Sequence, residues 1–362
     1  MQKIPLSKCF LNQEVKDAAM RALESGQYIL GKECKAFEEE LAAHTGAKFC
    51  VLGSSWTMIV YMLHLAMGLK PGDEIIVPSH TAFPTMEPLI HCGAVPIFAD
   101  VDDTYGMNPA QVEALITPRT VGIIPVHLYG HPVDLDPILE IATRRKIWVI
   151  EDCAQAQGAK YKGKTVGSMG YVSAFSFYPS KNLTVLGDGG CICTNDSALA
   201  EKVRMLRNHG RKDKYLHEMA GFNVRFNEIQ AAIGRVALRN LDQLNAHRRK
   251  IAAIYNERLR SVAVTPPEKH WASAVYHMYV IQVDRRDELA RFLKERGIET
   301  GVHYPVPNHQ QPGVTSRFQN IPLLPVTEEI AGRILSLPMH GEMDPATAGV
   351  VCDAVLEFAA KK

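Results

Sequence analysis

Ile150-Glu151-Asp152-Cys153-Ala154-Gln155, then Phe175-Ser176-Phe177-Tyr178-Pro179-Ser180-Lys181-Asn182, then Leu186-Gly187-Asp188-Gly189-Gly190 are the stretches on which the reading of this chain turns. The first places an acid at the carboxyl end of a short apolar run, and the second places a lysine just past the next such run. Apolar runs of this length, flanked by turn residues, read as strands buried on both faces. Asp152 would then face Lys181 across adjacent strand ends, with a glycine-rich turn beyond.

The same rhythm extends in both directions. Apolar runs at 48–52, 74–77, 95–99, 121–126, 148–151, 173–177 and 190–194 alternate with amphipathic segments such as 58–67 and 137–144. That alternation predicts a mostly parallel seven-stranded sheet with helices on both faces. Before it, helical spacing within 13–45 is interrupted by Gly26 and Gly31, which predicts two helices and a loop. A long connecting helix is expected over 229–244, and 265–362 mixes strand-like and helix-like pieces as a small α+β domain does. The expected division is 1–245 for a large cofactor-binding α/β domain and 246–362 for the small C-terminal domain. A chain of 362 residues is long enough for both.

Composition narrows the function. Forty Lys and Arg stand against 39 Asp and Glu, a formal net charge of +1 that gives no field for drawing in nucleic acid or an anionic membrane. A small-molecule partner is expected. The eight cysteines are scattered without zinc spacing and read as reduced buried thiols, so no metal site is expected. The first residues, MQKIPLSKCF, lack the apolar core of a signal peptide, and no run approaches the ~20 residues of a membrane span. The sequence reads as soluble and cytoplasmic.

The chemistry of the Asp152 and Lys181 pair suits pyridoxal 5'-phosphate. A carboxylate beside a pyridine nitrogen raises that nitrogen's pKa, keeps it protonated and makes the ring an electron sink. A partly desolvated lysine becomes a neutral amine that can attack an aldehyde and later move a substrate's α-proton. Taken singly, Asp152 also fits a helix cap and Lys181 a solvated loop lysine; with the glycine-rich turn, the functional reading is the stronger. Upstream, Leu52-Gly53-Ser54-Ser55-Trp56-Thr57 joins a strand to a helix, where free amides and hydroxyls converge on an anion. Serine and threonine at such a place also serve as plain caps.

The blocks EDCAQ, FSFYPSKN and LGDGG, with GQYILG, PGDEIIVPSHT, GAVPIFADVD, PVHLYG, NHGR, FNVRFNEIQAA, HYPVP and LSLPMH, resemble the sugar aminotransferase family often called the DegT family, along almost the whole chain. The resemblance implies an aspartate aminotransferase-like α/β enzyme of fold type I. It implies Lys181 as the Schiff-base lysine, Asp152 as partner of the pyridine nitrogen, and Gln155 beside the ring's phenolic oxygen. Ser176 and Thr57 match phosphate ligands, with Ser55 and Trp56 in the same loop, and Asn223 matches an asparagine reaching the phosphate from a neighbouring subunit, so a homodimer with shared sites is implied. His80, Phe83, Tyr178, Arg225, His303, Tyr304 and His309 are candidates for substrate contact. Arg225 can grip a donor carboxylate or pair with Glu228, and the histidines can equally be structural.

The chain departs from the family pattern at two places: Trp56 stands where a small residue is usual, and Ala82 where an aromatic stacks on the cofactor. Trp56 or Phe83 can supply the missing aromatic surface. The expected reaction moves an amino group from L-glutamate or L-glutamine to a keto sugar, most often nucleotide-linked. A keto cyclitol acceptor of an aminoglycoside pathway and a non-catalytic regulator that kept the fold are the alternatives. A dehydratase of the same fold is disfavoured because those relatives carry histidine where Lys181 stands.

Overall fold

The computed structural model describes residues 3–319 and 321–361. Its main sheet contains β1 (Phe49–Gly53), β2 (Glu74–Pro78), β3 (Val95–Ala99), β4 (Thr120–Ile123) and β5 (Trp148–Asp152). After a two-stranded excursion, β6 (Lys160–Tyr161) and β7 (Lys164–Thr165), it is completed by β8 (Val172–Ser176) and β9 (Gly190–Thr194). The spatial order is β1-β9-β8-β5-β4-β2-β3. From β3 to β8 all neighbours run parallel, while β9 is antiparallel to both β1 and β8. The sheet is thus seven-stranded and mostly parallel.

Helices cover both faces, which is why the strands read as apolar runs rather than as alternating ones: all five residues of β2, β8 and β9 are buried. The helix Trp56–Met67 is bulky and apolar because it packs between the sheet and the helix Ser197–Leu206, burying seven residues from Trp56 to Ala66. The long helix, Glu228–Leu259, extends well past 229–244. Gly234 does not break it. A Cβ there would lie 2.5 Å from the Phe37 ring, so glycine lets the helix Lys32–Thr45 approach closely.

The parallel pairing of β5 with β8 does the placing. Asp152 is in register with Ala174, so both strands end on one edge of the sheet and the chain after β8 emerges beside Asp152. Loops after β1 and β2 reach the same edge, as does the start of β9, where Gly190 pairs with Gly53. Ligands of open α/β sheets bind outside this edge.

A second core gathers around Ile251, Tyr255, Leu259, Leu289, Leu293 and Val351, under the pair β11 (Tyr279–Gln282) and β12 (Ile334–Leu337). β10 (Ala272–Ser273) returns to pair with β6. Ile330, Ala331 and Ile334 stand at helical spacing, but the helix is Pro325–Arg333, and the chain turns at Ile334 into β12.

Glu228, buried at the start of the long helix, caps a different helix. Its carboxylate accepts the amides of Gly31, Glu33 and Cys34 at 2.8, 2.8 and 2.9 Å, tying the Lys32–Thr45 helix to the long one. Burial alone would raise its pKa, but the Cys34 thiol and these amides outweigh burial and hold it low. Glu228→Ala leaves three amides without an acceptor and should lower stability by about 2–4 kcal/mol, read as a lower urea midpoint at unchanged m-value.

Candidate active site

A cavity of about 260 Å³ opens at the carboxyl edge of the sheet. Of the residues expected from sequence, Ser55, Trp56, Thr57, Asp152, Gln155, Ser176, Tyr178 and Lys181 line it, joined by Thr81, Ala82, Thr85, Asp188 and Gly189. Ser55 caps the helix Trp56–Met67 by accepting the Met58 amide at 3.2 Å, which leaves the first-turn amides of Trp56 and Thr57 without intrahelical acceptors. A helix start carrying hydroxyls of this kind attracts an anion.

Asp152 is 2 % exposed. Its Oδ2 accepts the Thr85 hydroxyl at 3.0 Å and its Oδ1 accepts the Ala154 amide at 3.0 Å, so the carboxylate is fixed rather than free to turn. Burial raises its pKa, opposed by those two donors and by the Lys181 charge. A fixed, buried carboxylate is suited to a cationic ring nitrogen. Burial acts in the opposite direction on Lys181, lowering its pKa to about 8, with Asp152 resisting. Near neutrality a useful fraction of Lys181 is therefore the neutral, nucleophilic amine.

Gln155 is held at both ends of its amide. Oε1 accepts the Tyr129 amide at 2.8 Å, and Nε2 donates to the Tyr304 hydroxyl at 3.2 Å. The Tyr129 hydroxyl bonds His80 Nε2 at 2.7 Å and donates to the His303 carbonyl. Sequence reading missed Thr85 and Tyr129. Thr85 carried no signal beyond its place after the β2 block, and Tyr129 lay within the PVHLYG block with nothing to mark its hydroxyl.

The remaining candidates do not line the cavity of this chain. His80 is buried against Tyr105 and Tyr129, and burial lowers its pKa to about 4. Phe83 packs on the main core, His303 bonds Ser336 through Nδ1 at 2.8 Å, and Tyr304 reaches the site only through Gln155. His309 is buried between Ser79, at 2.6 Å, and Glu328, at 3.1 Å. Asn223 is exposed and accepts from Arg225 Nε at 3.0 Å, and Arg225 makes no ion pair with Glu228, whose oxygens are taken by amides. Trp56 and Ala82, the two departures, share the cavity wall. The Trp56 ring is buried in the adjoining core and its Nε1 has no hydrogen-bond partner.

Residues 10–356 match the DegT/DnrJ/EryC1/StrS aminotransferase family. The chain belongs to that family. It is 45% identical over 332 residues to the erythromycin biosynthesis sensory transduction protein EryC1 of Saccharopolyspora erythraea, covering 91% of each. It is 41% identical over 355 residues to the dTDP-3-amino-3,4,6-trideoxy-alpha-D-glucose transaminase of Streptomyces venezuelae, covering 96% of this chain and 93% of that one. Among solved structures, S. venezuelae DesV in complex with a ketimine intermediate superposes with a TM-score of 0.94 at 39% identity over 99% of both chains. The fold is that of the fold type I enzymes, and the protein is an aminotransferase whose cofactor is pyridoxal phosphate.

The residues present fit that cofactor. A fixed buried carboxylate, a lysine poised near neutrality and a hydroxyl-bearing helix start border one cavity. Labelling of Lys181 by acetic anhydride, followed by peptide mass spectrometry in the cofactor-free protein, should titrate with a midpoint near 8, against about 10.4 for ordinary lysines. The neutral amine reacts, so labelling rises with pH through that midpoint. A midpoint above 10 would overturn the placement of Lys181 in a desolvated site.

Proposed function

We propose that this aminotransferase moves an amino group from L-glutamate or L-glutamine to a nucleotide-linked keto sugar, with Lys181 as the residue that carries the cofactor. The observation that carries the reading is the joint presence of Asp152, Gln155 and Lys181 around one cavity, each held by a specific environment. Support for the sugar comes from relatives named as transaminases of dTDP- and UDP-linked sugars. The regulator alternative has its own support in the name of EryC1, but a folding role requires neither a fixed buried carboxylate nor a lysine lowered toward neutrality.

Bound pyridoxal phosphate supplies an aldehyde for the amine exchange and a ring that delocalises the electrons left when a proton departs. Asp152 would hold the cofactor's ring nitrogen in its protonated form by charge. Thr85 and Ala154 hold that carboxylate in one orientation. Ser55, Thr57, Ser176 and the first-turn amides would hold the phosphate. Lys181, as a neutral amine, would move a proton within each half-reaction, taking it from the donor's amino-bearing carbon in the first and delivering one to the acceptor's carbon in the second. Gln155, held by Tyr129 and Tyr304, would lie beside the ring's phenolic oxygen.

We assign residues 1–245 to the cofactor domain and 246–362 to the small domain. We also infer a homodimer, with Asn223 serving the partner's site and Tyr178, His303 and Tyr304 meeting the acceptor. Asn223 stands outside its own chain's cavity and exposed, which favours that sharing. A cytoplasmic location suits the eight free cysteines, seven of them buried.

With pyridoxal phosphate added, the protein should show a visible absorption band that one of the two donors bleaches, and Lys181→Ala should lack it. Mass spectrometry of a keto-sugar nucleotide incubated with the bleached enzyme should then show conversion of the ketone to an amine. Bleaching followed by transfer only to a keto cyclitol would replace the acceptor, and a protein that binds no cofactor would leave the fold without its chemistry. Dilution below the dimer's dissociation constant should release cofactor and activity together; a fully active monomer would overturn the shared site.

A further inference from the structure

Three buried side-chain amides, those of Gln157, Asn182 and Asn245, stand behind the cavity without lining it. Gln157 Nε2 donates to the Ser176 carbonyl at 2.6 Å and to the Ala154 carbonyl at 3.2 Å. Asn245, near the middle of the long helix, donates Nδ2 to the Gln157 carbonyl at 2.8 Å and accepts Asn182 Nδ2 on its Oδ1, also at 2.8 Å. Asn182 Nδ2 reaches the Val275 carbonyl as well, at 3.0 Å, and the Asn182 oxygen has no partner among the described residues. Gly158, with φ 82°, admits this arrangement, because a Cβ there would lie 2.8 Å from Asn245 Nδ2.

The bonds lead to three parts of the site. Ala154 gives the amide that fixes Asp152 Oδ1, Ser176 lines the cavity, and Asn182 follows Lys181 directly in the chain. These stand on the loop after β5, at the end of β8 and on the loop beyond β8. Asn245 is bonded toward both sides, which an asparagine amide can do because it donates from one atom and accepts on the other. Water does not compete with buried bonds of this kind, and each is costly to leave unmade. Removing the Asn245 amide strands the Gln157 carbonyl and leaves the Asn182 side chain held by the Val275 carbonyl alone.

We propose that Asn245 is a positioning residue for the transamination, fixing the loop that carries Lys181 against the strand end that carries Ser176, a role that rests on the reading of those two residues given above. It touches no reacting atom. Its effect passes through Asn182 to the backbone of Lys181, and through Gln157 to Ser176 and Ala154. Without it the loop at 181–182 loosens, Ser176 and Lys181 no longer keep one spacing, and water reaches the Lys181 amine, whose low pKa is a consequence of burial.

The test compares the wild-type protein with Asn245→Ala and with Tyr255→Phe, which removes a buried hydrogen bond to the Pro338 carbonyl from the same helix, within the second core. Two quantities are read: the pH midpoint of Lys181 acetylation in the cofactor-free protein, and the dissociation constant of pyridoxal phosphate followed by its visible band. Asn245→Ala should raise the midpoint from about 8 toward the 10.4 of ordinary lysines. It should also weaken cofactor binding about tenfold, as the loss of one buried hydrogen bond does. Tyr255→Phe should lower the thermal unfolding midpoint and leave both quantities at their wild-type values. Asn245→Ser, whose single hydroxyl replaces only part of the amide, should fall between wild type and alanine, and it carries the comparison if the alanine variant does not fold. A folded variant of Asn245 in which either quantity stays at the wild-type value would overturn the proposal, as would equal shifts in Tyr255→Phe. If the wild-type protein binds no pyridoxal phosphate, the reading of Lys181 falls instead, and the labelling comparison, made without cofactor, still decides the role of Asn245.

Discussion

Asp152 and Lys181 meet because β5 and β8 pair in parallel. Register fixes it: with Asp152 opposite Ala174, the residues following β8 have one edge of the sheet on which to emerge. A one-residue slip would turn Asp152 to the other face and separate the pair. The buried, two-faced apolar character of both strands makes such a slip costly, so the core secures the chemistry.

The environment then divides two ionisable groups into different tasks. Both are desolvated, but desolvation favours the neutral form of each, which means opposite shifts: up for the acid, down for the amine. Each opposes the shift of the other. Thr85 and the Ala154 amide add donors only on the acid's side, so the carboxylate is the more firmly held charge and the amine the more easily varied one. This asymmetry is what a site needs when one group must stay fixed beside a cation and the other must take up and release a proton.

Much of this was legible in the sequence, and the rest was not for identifiable reasons. The main sheet could be read because strands buried on both faces leave continuous apolar runs, and the start of the Trp56–Met67 helix because Ser55 is a recognisable cap. β12 could not, since Leu335 and Leu337 belong equally to a helical spacing, and only their distant partners Ile281 and Tyr279 settle the matter. The cavity-lining residues at strand ends were found where motif and element boundary coincide. Thr85 and Tyr129 escaped because their roles rest on hydroxyls aimed across the fold, at Asp152 and at the His303 carbonyl, which no local pattern encodes. His80 sits in a block that resemblance marks and His309 just past one, yet their partners in this chain are Tyr129, Ser79 and Glu328.

Tyr129 adopts a left-handed backbone with φ 57°, a conformation that costs a non-glycine residue of order 1–3 kcal/mol. There it stands between two parts of the molecule. Its amide grips Gln155 in the cofactor cavity, and its hydroxyl grips the main chain of His303, in the loop that follows the second core. Gln155 closes the ring by reaching Tyr304. This closed circuit works as a brace: the turn at Tyr129, the Gln155 side chain and the 303–304 loop are held as one unit, and none can be displaced singly without breaking a hydrogen bond.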